Sequence, residues 1–194
     1  MAKVLILFAH PALEKSRVNK RLIRAAENID NVTLNDLYEE YPDFDVDIKR
    51  EQQLLTEHEL IILHHPFYWY STPALLKQWE DLVLEHGWTY GSKGNALVGK
   101  KLMQVITTGG SARAYEKDSL NKHTVHEFLV PIEQSFKLCG MICLPPFLIQ
   151  GTHMLEDDEI EIYAEQYSRL LQNLSEDKYE YNEMMKYKLT NELL

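Results

Sequence analysis

Three stretches of this chain carry side chains that could bind or react, and each follows an apolar run. The first is "HPALEKSRVNKRL", with Ser16 and Asn19 where a helix should begin. The first N–H groups of a helix lack intrahelical partners and sit at the positive end of its dipole. Hydroxyl and amide side chains beside them add donors, a combination suited to a phosphate. Ser16 acting only as an N-cap explains the same residue without a ligand. No G-x-G-x-x-G is present, so this is not a dinucleotide fingerprint.

The second stretch is "HHPFYWYSTPALLKQWEDLV". Four bulky residues, Phe67, Tyr68, Trp69 and Tyr70, stand where a loop should be polar. Ser71 or Thr72 can cap the helix that follows, and Pro73 suits its first turn. Capping leaves the aromatics unexplained. A flat aromatic ligand stacked on the rings would account for them, and so would a subunit interface. The third stretch is "TTGGSARAY". Gly109 and Gly110 let the backbone approach a ligand closely, or simply turn. A phosphate site, a ring site and a polar ring-edge site together describe a mononucleotide, and flavin mononucleotide (FMN) fits best.

The elements that must position these stretches alternate. "KVLILFA", "NVTLNDLY", "ELIILHH", "KKLMQVITT" and "MICLPPFLI" read as five strands. Helical faces separate them: Val18, Leu22, Ala25, Ala26 and Ile29; a short helix in "FDVDIKREQQLLTEH"; Leu75, Leu76, Trp79, Leu82 and Val83; and Val125, Phe128, Leu129, Ile132 and Phe136. Pro131 should kink that fourth helix or start a new one. A last helix carries Ile160, Tyr163, Tyr167, Leu170, Leu171 and Leu174. Continuous apolar strands alternating with helices predict an α/β three-layer sandwich with a parallel sheet. Ligands of such sheets bind beyond the strands' carboxyl ends, so the loops after strands one, three and four are the candidate site. Residues 1–174 read as one domain and 175–194 as a charged tail, either a helix used in contacts or a frayed end.

A chain of 194 residues with 45% hydrophobic and 26% charged residues is an ordinary globular composition. The formal net charge of −10 argues against binding nucleic acid. Cys139 and Cys143 are too few for a disulfide framework and fall in apolar surroundings. "VLILFA" is too short to span a membrane, and the expected location is cytoplasmic. His123 and His126 stand three apart, but no carboxylate or cysteine cluster supports them as a metal site. His64 and His65 point to opposite faces of a strand, and at least one is expected to be mere packing.

"FAHP…SRVNKRL", "HHPFYWYSTPALLKQWEDLV", "HGWTYG", "ALVGKKL" and "TTGGSARAY", in this order, resemble the flavodoxin-like NAD(P)H:quinone oxidoreductases. Within them the chain is most similar to bacterial general stress protein 14-type reductases and to ancillary flavoproteins of glutathione-gated potassium efflux systems. The resemblance runs over about residues 3–172. It implies a five-stranded parallel sheet of order 2-1-3-4-5 and a homodimer with its active sites at the interface. It also implies NADH or NADPH as reductant and a quinone or other small acceptor. A potassium efflux transporter is a possible partner, with the protein then peripheral to the inner face of the membrane. Carried over, His10 starts the phosphate loop, and Ser16, Arg17, Val18 and Asn19 hold the phosphate and ribityl. Phe67, Tyr68, Trp69 and Tyr70 line the isoalloxazine, and Thr107, Thr108, Gly109 and Gly110 meet its pyrimidine edge. Tyr115 and His123 are the implied catalytic residues. Two departures stand out. The vertebrate enzymes place their histidine six residues after the tyrosine, whereas His123 comes eight after Tyr115. The efflux-type relatives have Gln where Tyr68 stands. The chain also lacks the vertebrate C-terminal extension, which favours FMN over FAD.

Overall fold

A computed structural model describes Met1–Leu194. Six strands form the sheet: β1 (Val4–Phe8), β2 (Val32–Asp36), β3 (Leu60–Pro66), β4 (Lys101–Thr108), β5 (Ile142–Cys143) and β6 (Phe147–Gln150). All neighbours pair in parallel, in the order β2-β1-β3-β4-β5, with β6 also on β4. The helices are α1 (Arg17–Ala26), α2 (Leu37–Glu40), α3 (Ile48–Glu57), α4 (Ala74–Val83), α5 (Val125–Leu138), α6 (Asp157–Ser175) and α7 (Tyr181–Met184).

The two-residue period of a strand divides the core in two. Leu5, Leu7, Ile61 and Leu63 pack under α2, α3, α4 and α5, with Trp79 and Phe136. Val4, Ile6, Phe8, Leu60 and Ile62 pack under α1 and α6, with Leu22 and Tyr167. Every residue of β1 and β3 is buried, which is why both read as unbroken apolar runs.

Several local expectations change. β2 does not alternate apolar-in: Leu34 is its exposed residue and Asn35 is buried, because Asn35 binds a buried carboxylate. The fifth strand is split into β5 and β6 at Pro145–Pro146, which have no N–H to give the ladder to β4. Pro131 lies inside α5, so no new helix starts there. It sits on the exposed side, where water can satisfy the carbonyl it frees. Pro73 itself takes the N-cap position of α4, and neither Ser71 nor Thr72 caps it. His64 and His65 are both fully buried.

The segment after α6 folds back on the sheet. Met184 joins the core. Asn191 lies beside β6, its carboxamide accepting from the Leu148 N–H at 2.8 Å and donating to the Leu148 carbonyl at 2.9 Å. One side chain thus covers an otherwise open strand edge.

Candidate functional site

A cavity of about 540 Å³ opens at the carboxyl ends of the strands. It is lined by His10, Ser16, Arg17, Val18, Asn19, Phe67, Tyr68, Thr107 and Gly109, all expected from the sequence. Ala12, Lys15, Pro66, Thr152 and His153 complete it. Thr152 and His153 follow β6, outside the three loops that the sequence marks. Their signal was positional, since any loop at that edge of the sheet can reach the site.

The Ser16 hydroxyl caps α1, accepting from the Asn19 N–H at 3.1 Å. That leaves the amides of Arg17 and Val18 with no acceptor in the chain. Two further pairs are free in the same sense: Trp69 with Tyr70, and Gly109 with Gly110. The cationic rim is partly engaged, since Arg17 pairs with Asp157 at 2.7 Å. His10 is buried, and its Nδ1 accepts from the Ala12 N–H at 3.1 Å. Burial lowers its pKa, although Glu14 opposes the shift. The neutral ring therefore carries its proton on Nε2.

The aromatic stretch divides. Phe67 is buried and its N–H bonds the Thr107 carbonyl at 2.8 Å, tying the loop to β4. Tyr68 is half-exposed beside His10. The Ser71 N–H closes a turn onto the Tyr68 carbonyl. Trp69 and Tyr70 at its centre have φ of +51° and +63°. Bulky residues seldom adopt this conformation, which costs about 1–3 kcal/mol each. Trp69 is 93% exposed and outside the cavity wall. Tyr70 stacks on Phe128 at 4.8 Å and bonds Asn121 at 3.0 Å.

Thr108, Gly110, Tyr115 and His123 also lie outside the wall. The Thr108 hydroxyl donates to the Gly110 carbonyl at 2.7 Å. Tyr115 and His123 both contact the ring of Phe128, at 6.3 and 5.5 Å between centroids, so the structure brings the two together despite their altered spacing. The Tyr115 phenol is raised in pKa by burial, against a hydrogen bond with Thr108. In the sequence Phe128 stands out only as part of a helical face.

A parallel sheet with helices on both faces and one cavity at its strand ends defines a doubly wound α/β protein. The profile of the family described as having the flavodoxin-like fold matches residues 2–173, and the chain belongs to that family. It is 45% identical over 172 residues to the glutathione-regulated potassium-efflux system ancillary protein KefG of Escherichia coli, covering 89% of this chain and 94% of that one. Among solved structures it is similar to general stress protein 14 of Treponema denticola in complex with FMN. That match has 38% identity and a TM-score of 0.84, covering 89% of this chain and 99% of the other. It is also similar to an NADPH-quinone reductase from P. pentosaceus, with 34% identity and a TM-score of 0.77, covering 89% and 97%.

Proposed function

We propose that this protein is an FMN-dependent oxidoreductase that takes a hydride from NADH or NADPH and passes two electrons to a quinone or similar acceptor in a ping-pong cycle. One observation carries the reading: the three loops that line one cavity each carry a pair of backbone N–H groups with no acceptor in the chain, Arg17–Val18 and Gly109 in its wall, Gly110 next to it and Trp69–Tyr70 just beyond Tyr68. FMN makes three separate demands, a dianionic phosphate, a redox edge and a carbonyl-bearing pyrimidine edge. The residues present fit them. The helix N-terminus with Ser16 and Lys15 suits the phosphate. Phe67 and Tyr68 supply apolar ring contacts, and Gly109 leaves room, since a Cβ there would stand 2.8 Å from His153 Nε2.

When bound, the flavin supplies the two-electron chemistry. The protein's part is placement. The Gly109 and Gly110 amides, with Tyr115 behind Gly110, are donors for charge at the pyrimidine edge. Trp69, Tyr70 and their strained turn project from the surface, consistent with a homodimer in which the partner subunit closes the site. Purified protein should be yellow or bind added FMN stoichiometrically in a fluorescence titration. Colourless protein that fails to bind FMN even at high concentration overturns the reading.

A second reading has a specific observation in its favour. The likeness to KefG covers nearly the whole of both chains. On this second reading the protein is a regulatory subunit bound to the inner face of a potassium efflux transporter. No helix is long and apolar enough to cross a membrane, so membrane association would run through that partner. Co-purification with a transporter tests it, and the two readings can both hold.

A further inference from the structure

Beneath the phosphate end of the cavity runs a buried chain of polar side chains. Tyr167 Oη lies 3.2 Å from His64 Nδ1. His64 Nε2 lies 3.1 Å from Asn19 Oδ1. Asn19 Nδ2 lies 3.0 Å from Ser16 Oγ and 3.0 Å from Thr107 Oγ1. Asn19, His64, Thr107 and Tyr167 are all buried, and they come from α1, β3, β4 and α6. We propose that Tyr167 and His64 are positioning residues that fix the direction of this chain, so that the Ser16 and Thr107 hydroxyl protons point outward into the cavity as anion donors. The anion's identity as the FMN phosphate rests on the function proposed above.

The direction follows from the closed end. Tyr167 is fully buried and His64 Nδ1 is its hydroxyl's hydrogen-bond partner. A buried O–H must donate, so Nδ1 accepts. Burial, helped by the neighbouring His65 and His10, pushes the His64 pKa down to about 3, so the ring is neutral and its one proton sits on Nε2. That proton requires an acceptor, which fixes Asn19 with Oδ1 toward His64. The amide's two N–H groups are then spent on Ser16 and Thr107. Ser16 Oγ accepts a second time, from the Asn19 backbone. With its acceptor capacity filled from within, the hydroxyl has its proton free for the cavity. Thr107 is less strictly held, since its Oγ1 also lies 3.5 Å from Oδ1.

The opposite polarity exposes what Tyr167 contributes. If the amide were flipped, Asn19 Nδ2 would donate to His64 Nε2, and Nδ1–H would donate to Tyr167. The tyrosine proton would then be stranded in the core. The Ser16 and Thr107 protons would turn inward to Oδ1, presenting lone pairs to an anion. Without the Tyr167 hydroxyl, the closed end leaves His64 Nδ1 unpaired in either state, and the strong preference between them is lost.

Tyr167→Phe keeps the ring, including its stacking on Phe147, and removes only the selector. The affinities of wild type and variant for FMN and for riboflavin, which lacks the phosphate, test the assignment. The FMN-to-riboflavin affinity ratio should fall about ten- to a hundred-fold, the scale of one hydrogen bond to a charged group. In a Ser16→Ala, Thr107→Val background the same substitution should change the ratio little, because both donors it orients are gone. An equal loss for both flavins, or no loss, overturns the proposal and leaves Tyr167 as packing. A second readout needs no ligand: ring 15N NMR of His64 in the flavin-free protein. A bare Nδ1 and a protonated Nε2 support the relay, and the reverse tautomer overturns it. If wild type binds neither flavin, the cofactor reading fails, while the tautomer still decides the relay.

Discussion

Two buried polar networks lie on opposite faces of the sheet, and they differ in how they end. On the α3 face, Glu51 is fully buried and accepts from Asn35 at 2.9 and 3.1 Å, Tyr41 at 2.6 Å, Arg50 at 2.6 Å and Trp79 at 2.8 Å. Every donor aimed at it is used, and the group ties β2, α3 and α4 together. On the α1 face, the Tyr167–His64–Asn19 chain holds no charge and finishes at Ser16, which lines the cavity. A closed network spends its hydrogen bonds on the fold. An open one keeps a donor for something outside the chain. Burial and distance alone would rate the two alike; the free end separates them.

The largest effect should come from the closed network. Glu51→Ala leaves the Trp79 N–H, the Asn35 amide and the Tyr41 hydroxyl without their acceptor in a dry interior. It also strips Arg50 of its shortest partner. Each buried donor left without its acceptor costs about 1–3 kcal/mol, so a loss of roughly 3–5 kcal/mol is expected. A denaturant midpoint should drop accordingly, while the variant molecules that remain folded bind FMN as wild type does. A Glu51→Ala protein with an unchanged midpoint and weak FMN binding would reverse the comparison.

Acid sensitivity should come from one buried histidine on each face, His64 in the open network and His65 on the other side of β3. His64 and His65 are both neutral in the fold, pushed from 6.5 to about 3 and about 4, chiefly by burial. Unfolded, each takes a proton near 6.5. The unfolded state therefore binds more protons as pH falls, and stability drops. Stability is complete above about pH 6.5. It is lost with a slope of two protons down to about pH 4, and of one proton to about pH 3. Each proton is worth about 1.4 kcal/mol per pH unit. His64→Gln should make the acid limb of a stability–pH curve shallower by about one proton. Identical limbs would mean that His64 is charged in the fold and that the relay has no neutral ring to direct.

Much of this was legible in the sequence, for a physical reason. Strands covered on both faces must be apolar throughout, so β1, β3 and β4 announce themselves, and their order places the loops. Nine of the expected site residues meet at one cavity because strand carboxyl ends converge whatever the details. The remainder depended on information that a single chain does not display. His64 and Tyr167 stand 103 residues apart, and neither residue type declares a partner. The turn at Trp69–Tyr70 lacks the Gly or Asn that usually marks positive φ. Glu51 was a missed signal. It falls four residues before Leu55 and seven before His58, both buried, so helical spacing already put it on the inner face.

The smallest effect belongs to a donor outside both networks. Tyr115 touches neither relay; its hydroxyl lies near Thr108 and behind Gly110, where a Cβ would be 3.1 Å from its ring. Tyr115→Phe should leave the denaturant midpoint, the acid limb and the FMN-to-riboflavin ratio unchanged. Any loss should appear in the rate of flavin reduction by NAD(P)H, because a donor to developing charge acts only as the charge forms. One such donor is worth about 2.7–4 kcal/mol in oxyanion sites. Gly109 and Gly110 remain as donors here, so about 1–2 kcal/mol is expected, a five- to thirty-fold slowing by stopped flow. His123→Gln should slow it less. His123 is exposed and packs edge-on to Phe128, with its nearest carboxylate, Glu127, 4.0 Å away on the surface. Equal rates for Tyr115→Phe and wild type remove Tyr115 from the chemistry. A larger loss for His123→Gln would instead make Phe128 the pivot, carrying the histidine back to the place its spacing seemed to deny it.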